Sequence, residues 1–251
     1  MGLPNPPIPR ISAIPSCFSD GPTIERSLWE FAHHSETPTE MRGKMTDTDV
    51  KTEAIPVDIS ALRDAVRSKY RDVAVAPHGD YHFHTGRPLA AHLGYDSAVV
   101  DSLPDAAVES FAGVANPFAL RRLTPGERVV DAGSGGGFDC FIAADQVGPA
   151  GRVVGIDMTD EMLEKAHASA ARLGLEQVEF RQGVIEEMPV GDESADVVIS
   201  NGVINLCADK VRVFREIRRI LRPGGYLQFA DIATGKPVPE SATGKIELWT
   251  A

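Results

Sequence analysis

The chain has 251 residues, of which 43% are hydrophobic and 24% are charged, and these ordinary globular values allow one large domain or one domain with an appendage. Acidic residues outnumber basic residues by 36 to 25, and the resulting net charge of −11 argues against a nucleic-acid partner, whose phosphates attract basic surfaces. No apolar run approaches the roughly 18 residues that a membrane span needs, so no membrane partner is expected.

Residues 1–44 are rich in proline and show no sustained apolar period, so they are predicted to be disordered. The sequence that starts at Met45 looks like an ordinary protein beginning, and we interpret residues 1–44 as an extension from a mis-assigned start. The cysteines, Cys17, Cys140 and Cys207, are widely spaced and odd in number. This pattern fits neither a disulfide framework nor a zinc site, and it favours a cytoplasmic protein.

Residues 45–120 are predicted to form a helical cap on the rest of the chain. Apolar residues recur on one stripe of a helix predicted at Asp58–Val75. Further short helices are predicted at Pro88–Leu93, Asp96–Leu103 and Ala106–Ala112. The loop that precedes them contains His82 and His84. Because no third ligand lies near this pair, we interpret the loop as a lid or a substrate-facing segment, and no metal site is predicted.

Residues 121–251 alternate strands with helices, which is the pattern of a parallel sheet covered by helices on both faces. The predicted strands are Arg128–Asp131, Arg152–Asp157, Val178–Gln182, Ala195–Asn201 and Tyr226–Ile232. The predicted helices are Phe138–Val147, Thr159–Leu173, Lys210–Leu221 (with Phe214, Ile217, Ile220 and Leu221 facing inward) and Glu240–Trp249. The predicted fold class is therefore α/β, with a Rossmann-like doubly wound sheet.

The most informative motif follows the first strand. Glycines occupy alternate positions after Asp131, namely Gly133, Gly135 and Gly137. Glycine permits unusual backbone angles and close approach of a ligand, and the helix that follows presents its N-terminus to a nucleotide-type cofactor. The dinucleotide fingerprint requires a glycine where this chain has Phe138, which disfavours the alternative of a nicotinamide-dependent oxidoreductase. The spacing D-x-G-x-G-x-G instead resembles motif I of the class I S-adenosylmethionine-dependent methyltransferases.

This resemblance implies S-adenosylmethionine as the cofactor and assigns roles along the chain. Asp157, which ends the second strand, would accept hydrogen bonds from both ribose hydroxyls, and Met158 would lie against the adenine ring. The Ile185 amide would serve a ring nitrogen and Glu186 the exocyclic amine, while Asn201 would lie below the methionine moiety. The full expected cofactor set is Asp131, Gly133, Ser134, Gly135, Gly137, Asp157, Met158, Ile185, Glu186 and Asn201.

Longer segments resemble the arsenite methyltransferases within that class. They are Val66–Tyr70, Gly113–Pro117, Gly136–Phe141, Gly155–Thr159 and Val198–Leu206. Enzymes of that family hold trivalent arsenic with cysteine thiolates, but two positions at which the resemblance expects them are Val114 and Gly202 here. Cys207 alone cannot reproduce a site of three thiolates. The sequence therefore predicts methyl transfer to a small-molecule acceptor that it does not identify.

The acceptor is expected over the C-terminal ends of the fourth and fifth strands, beneath the helical cap. Candidate acid, base or orienting groups are Tyr70, His82, His84, Asn205 and Cys207. Since the cofactor already carries its leaving group, we expect the positioning of the two reactants to supply much of the catalysis.

Class I methyltransferase sheets normally have a further pair of strands beside the fifth, and this sequence stops at Ala251 before any such pair. We therefore expect a domain truncated after the fifth strand, with Tyr226–Ile232 as an unprotected edge that favours self-association. Because the expected cofactor residues all lie at or before Asn201, a catalytically impaired fragment that still binds S-adenosylmethionine is an alternative to an active enzyme.

Overall fold

The computed structural model describes residues 57–235 and 238–249, so the predicted extension at residues 1–44 lies outside the described residues. The α-helices are α1 Ile59–Val75, α2 Gly86–His92, α3 Ser97–Ser102, α4 Asp105–Glu109, α5 Phe138–Val147, α6 Asp160–Leu173, α7 Lys210–Ile220 and α8 Glu240–Thr243. Short 3₁₀ turns occupy Pro117–Ala119, Ile204–Leu206 and Ile246–Leu248.

The strands form one sheet in the order β3-β2-β1-β4-β5, in which every neighbouring pair is parallel. They are β1 Arg128–Ala132, β2 Arg152–Asp157, β3 Val178–Gln182, β4 Ala195–Asn201 and β5 Leu221–Ala230. The strand order reverses between β1 and β4, and ligands of open α/β sheets bind beyond the carboxyl ends of the strands at such a point. The predicted α/β, doubly wound fold is confirmed.

The central strands β1, β2 and β4 are buried on both faces, as expected of a parallel sheet between two layers of helices. Val129 and Val153 pack on one face with residues of α5 and α6. Val130 and Val154, which follow them directly, pack on the opposite face with residues of α7. Successive valines therefore anchor the two helical layers and hold the carboxyl ends of β1 and β2 side by side.

Helix α1 begins at a side-chain cap and lies over the carboxyl edge of the sheet. Asp58 accepts hydrogen bonds from two backbone N–H groups of the first turn at 2.8 and 3.0 Å. The buried side chains of Leu62 and Val66 pack with Met158, which follows β2, and with Leu206, which follows β4. This contact brings α1 to the same edge of the sheet as the predicted cofactor residues.

The predicted inward face of α7 is partly wrong. Val213, Ile217 and Ile220 are buried, whereas Phe214 is 40% exposed. Phe214 instead meets Phe229 of β5 edge to face, with ring centroids 5.9 Å apart. The helix is rotated so that its buried stripe includes Val213, and Phe214 covers the margin of the sheet.

The predicted start of β5 is also wrong, because this strand begins at Leu221 and not at Tyr226. Ala195 pairs with Leu221 but Val197 pairs with Tyr226, so the register shifts between these two pairs. The extra residues include the Pro-Gly-Gly sequence at 223–225, which forms a bulge within the strand and does not precede it.

The segment predicted as one helix at Glu240–Trp249 forms α8 and a separate 3₁₀ turn. α8 ends at Thr243, and the next residue is Gly244, whose high conformational entropy disfavours a helix interior. Within 57–235 and 238–249, no helix combines the length and the apolar character that crossing a bilayer would require.

Candidate active site

A cleft lies at the carboxyl edge of the sheet, where β1, β2 and β4 end and α1 covers them. Its empty volume is about 1050 Å³ with its open mouth included, which is enough for a ligand of nucleotide size. Leu62 and Val66 line it from α1, and Asp131, Asp157 and Asn201 line it from the strand ends.

The turn between β1 and α5 has backbone angles that favour glycine, with φ of +85° at Gly133 and +51° at Gly135. The Gly133 amide donates to the Ile156 carbonyl at 2.9 Å, and the Gly135 amide donates to Asp157 Oδ2 at 2.8 Å. A Cβ atom added at Gly133 would lie 2.5 Å from Val203 Cγ2. The turn is therefore fixed to the end of β2 and leaves no room for a side chain at its first glycine.

The carboxylates of Asp131, Asp139 and Asp157 all line the cleft beside this turn. Burial raises the pKa of Asp131 well above its usual range, and the charge of Asp139 raises it further. Burial also raises the pKa of Asp139 to about 6 and raises the pKa of Asp157. A nearby positive charge would favour the ionised form of each group, so this part of the cleft is suited to a cationic ligand.

The Asn201 side chain ties the loop after the cap helices to the floor of the cleft. Its Oδ1 accepts from the Val114 amide at 2.8 Å, and its Nδ2 donates to the Ala115 carbonyl at 2.8 Å and to Asp139 Oδ2 at 3.0 Å. The Tyr95 hydroxyl donates to Asp139 Oδ1 at 2.8 Å. Sequence reasoning missed Tyr95 and Asp139, because no local motif indicates that they meet.

At the other end of the cleft, Ile185 and Glu186 follow β3 and Met158 follows β2. Glu186 is 9% exposed, and its Oε1 accepts a hydrogen bond from Arg63 Nη2 at 3.3 Å. Arg63 lies on α1, 123 residues earlier in the chain, and it was not predicted as a site residue. The available signal was the recurrence of arginine at every fourth position of α1, at Arg63, Arg67 and Arg71.

The part of the chain that forms the sheet matches a known protein family. Residues 123–250 match a family described as a methyltransferase domain. The chain belongs to this methyltransferase family. S-Adenosylmethionine is the cofactor that follows from this membership.

Several methyltransferases of known name are similar to this chain. It is 50% identical to an arsenite methyltransferase of Halobacterium salinarum over 148 residues, which are 59% of this chain and 38% of that protein. It is 39% identical to the arsenite methyltransferase of Homo sapiens over 130 residues, which are 48% of this chain and 35% of that protein. The chain thus spans little more than a third of the length of these relatives.

A solved structure gives the same result for the fold. An arsenic(III) S-adenosylmethionine methyltransferase from Chlamydomonas reinhardtii superposes with a TM-score of 0.54 and 39% sequence identity, covering 58% of this chain and 51% of that one.

Family membership supports the methyltransferase interpretation over the alternative of a nicotinamide-dependent oxidoreductase. Phe138, at the position of the missing third glycine, is buried against Phe111 with ring centroids 4.1 Å apart.

Two of the candidate catalytic residues lie in the cleft. Tyr70 lines it from α1, and burial, followed by the charge of Asp157, raises the pKa of its hydroxyl to about 12. Cys207 lines it after β4, and burial, followed by the charge of Glu186, raises the pKa of its thiol to about 12. Both groups therefore keep their protons at neutral pH and can donate hydrogen bonds.

The other three candidates do not reach the lining of the cleft. His82 and His84 are exposed, whereas the neighbouring rings of Tyr81 and Phe83 stack on one another with centroids 5.6 Å apart. Asn205 uses its backbone N–H to bind a carboxylate that follows β5. Within the part of the chain that the structure describes, no group of three or more histidine, cysteine or acidic residues is arranged to hold a metal ion.

The two positions at which arsenite methyltransferases are expected to carry thiolates lie next to each other. A Cβ atom added at Gly202 would lie 3.0 Å from Val114 Cγ1, and φ of Gly202 is +75°. The valine methyl group therefore fills the space that a side chain at Gly202 would need. The two replacements are sterically compatible, and neither residue is a soft ligand for arsenic.

Proposed function

We propose that this chain binds S-adenosylmethionine in the cleft and transfers its methyl group to a small-molecule acceptor. The observation that carries the proposal is the 2.8 Å hydrogen bond from Gly135 to Asp157, since it joins the glycine turn to the carboxylate expected to bind the ribose. The cap at residues 45–120 would cover the domain at 121–251. The proposed cofactor residues are Asp131, Gly133, Ser134, Gly135, Gly137, Asp157, Met158, Ile185, Glu186 and Asn201.

The buried carboxylates of the cleft and one hydroxyl without a hydrogen-bond partner among the described residues fit this cofactor. When bound, S-adenosylmethionine supplies a methyl group activated by a positively charged sulfur. The buried carboxylates of Asp131 and Asp139 would stabilise positive charge beside the glycine turn. Ser134 lines the cleft, and its buried Oγ has no hydrogen-bond partner among the described residues, so it is available to a polar group of a ligand.

The main contribution of the protein to catalysis is the positioning of two reactants. Apolar side chains of α1, including Leu62 and Val66, line the cleft and would limit the access of water to the reactants. Tyr70 and Cys207 keep their protons at neutral pH, so they would orient an acceptor by donating hydrogen bonds. At neutral pH neither the Tyr70 hydroxyl nor the Cys207 thiol can take a proton from the acceptor. We therefore expect an acceptor that is already nucleophilic and needs no deprotonation by these two residues.

The affinity for S-adenosylmethionine is expected to depend on pH through Asp139. Burial raises the pKa of this carboxyl to about 6, so it is protonated below that pH and charged above it. A cationic ligand favours the charged form, so the contribution of Asp139 to the affinity should rise up to about pH 6, by at most about tenfold per pH unit, and then level off. The groups that face Asp139 are Asn201 and Tyr95, which donate hydrogen bonds to it, and the carboxyl of Asp131.

Calorimetric titration between about pH 5 and 8 measures this profile. Asp139→Asn should remove the rise that is centred near pH 6, and a melting curve checks that the variant is folded. A flat profile for the unmodified protein would contradict the role of Asp139.

The double variant Val114→Cys, Gly202→Cys is expected to create a dithiol that binds arsenite. Removing the valine methyl opens the 3.0 Å contact, so the cysteine at position 202 carries mainly the cost of its left-handed backbone, about 1–2 kcal/mol of unfolding free energy. Two adjacent thiolates chelate a thiophilic centre at least about 100-fold more tightly than one. Calorimetry with arsenite measures the gain, and Val114→Cys alone is the matched control. Equal arsenite affinity of the unmodified chain and the double variant would show that these positions do not control metalloid binding.

An assay of labelled methyl transfer tests the activity itself. Labelled S-adenosylmethionine is incubated with the protein and with arsenite, small thiols or small amines, and labelled products are separated. Transfer to any acceptor supports an active enzyme. Cofactor binding without transfer to any member of a wide panel would favour the alternative, a catalytically impaired chain that binds S-adenosylmethionine. The replacements at Val114 and Gly202 are the specific observation that favours this alternative.

We also propose self-association through Tyr226–Ile232, which comprises the second half of β5 and the two residues that follow it. Among the described strands β5 is an edge of the sheet, and Tyr226 and Phe229 are 45% and 40% exposed. An exposed edge with apolar side chains is a template for pairing, and lysine blocks such pairing. Phe229→Lys is therefore expected to shift an associating sample to monomer in sedimentation velocity. An unmodified chain that is monomeric at high concentration would contradict this proposal.

A further inference from the structure

Three arginines on consecutive turns of α1 each contact another segment of the chain. Arg63 Nη2 lies 3.3 Å from Glu186 Oε1, Arg67 Nε lies 3.3 Å from the Met158 carbonyl, and Arg71 Nε lies 3.2 Å from a carboxylate oxygen of α6. Of these three, Arg63 is the one that also lines the cleft. It lies outside residues 123–250, the part that matches the methyltransferase family.

The contact of Arg63 concerns the residue that is proposed to recognise the adenine amine. The Glu186 side chain is 9% exposed, whereas that of Arg63 is 32% exposed. The guanidinium therefore reaches inward from the mouth of the cleft and binds one carboxylate oxygen, Oε1. A carboxylate has acceptor capacity on both oxygens, so Oε2 remains for a donor on a ligand. The backbone carbonyl of Glu186 is held independently, by Arg212 Nε at 3.1 Å.

We propose that Arg63 is a positioning residue that makes this cleft specific for a 6-amino purine. By holding Oε1, it fixes the rotation of the Glu186 carboxylate and presents Oε2 to the exocyclic amine, which is a hydrogen-bond donor. A 6-oxo purine places an acceptor at the same point, so the oriented carboxylate repels it. This inference rests on the proposed binding of S-adenosylmethionine, and it adds that a residue of the cap helix sets the choice of base.

The test compares S-adenosylhomocysteine with S-inosylhomocysteine, which carries an oxygen in place of the amine. The unmodified protein should prefer the adenosine ligand by about 100-fold, from one charge-assisted hydrogen bond gained and one repulsion avoided. In Arg63→Met the Glu186 carboxylate is free to rotate, and the preference should fall to about tenfold or less. Arg63→Lys keeps a charge without the planar fork and should give an intermediate ratio.

Arg71→Met is the matched control, because it removes the same side chain from the same helix without touching the lining. Its preference should equal that of the unmodified protein, and thermal melting verifies that all variants are folded. If Arg63 only held α1 in place, both ligands would weaken equally and the ratio would not change, which would overturn the proposal. Tighter S-adenosylhomocysteine binding by Arg63→Met would also overturn it, because Arg63 would then compete with the amine. Failure of the unmodified protein to bind S-adenosylhomocysteine would instead refute the cofactor assignment itself.

Discussion

Replacing Asp157 by asparagine is expected to weaken the binding of S-adenosylhomocysteine by about 100-fold, the loss expected when charge-assisted hydrogen bonds to both ribose hydroxyls are impaired. The Asp157 carboxylate also accepts from the Gly135 and Thr159 amides, each at 2.8 Å. Asparagine has a single acceptor oxygen, so its NH₂ group would face one of these donors. The change therefore affects the ligand and the glycine turn together, and isothermal titration calorimetry measures it.

Asp192→Asn is the matched control for this variant. Asp192 accepts from Arg219 at 2.6 Å, but its side chain is 76% exposed and does not line the cleft. Exposed ion pairs contribute little, so the control should bind S-adenosylhomocysteine within about twofold of the unmodified protein. Asp157→Asn binding as tightly as this control would show that the carboxylate does not hold the ribose.

The second large effect is expected from Gly133→Ala. An added Cβ atom would lie 2.5 Å from Val203 Cγ2, in a backbone conformation with φ of +85°. The left-handed backbone costs about 1–2 kcal/mol and overpacking adds about 1–3 kcal/mol of unfolding free energy. Val203 also lines the cleft, so its displacement should abolish measurable ligand binding.

Gly126→Ala is the control that separates the cost of a left-handed backbone from the cost of a steric clash. Gly126 has a similar φ of +87°, but a Cβ atom there would meet nothing within 4 Å. It should lose only the conformational cost of about 1–2 kcal/mol and bind ligand normally. Adding Val203→Ala to Gly133→Ala removes the methyl groups in contact and should restore part of the stability lost in denaturant unfolding. Equal losses in Gly133→Ala and Gly126→Ala would mean that close packing at the turn is unimportant.

The parts of the fold that the sequence predicted well are those set by local patterns. The turn from Asp131 to Gly137 combines a β-branched strand with alternating glycines, and both features act within a few residues. The orientation of α7 was harder to predict, because Val213 and Phe214 are adjacent apolar residues and either could face the core. In the structure Phe214 contacts Phe229 of β5, and this contact between separate elements cannot be read from the spacing of residues along α7.

The candidate site was predictable where one segment carries a motif and unpredictable where distant segments meet. The contact between Arg63 and Glu186 spans 123 residues, and that between Tyr95 and Asn201 spans 106. Neither pair has a spacing rule, because their approach depends on how the helices before β1 pack on the sheet. His82 was predicted as a candidate from its residue type, but its side chain is exposed and does not line the cleft.

Isothermal titration calorimetry of the folded protein with S-adenosylhomocysteine tests the central claim most directly, since it depends on the cleft and not on the identity of the acceptor. We predict saturable binding of one ligand per chain, strongly weakened by Asp157→Asn and unchanged by Asp192→Asn. A sample that circular dichroism shows to be folded, but that gives no heat of binding up to millimolar ligand, would contradict the claim that this cleft is a cofactor site.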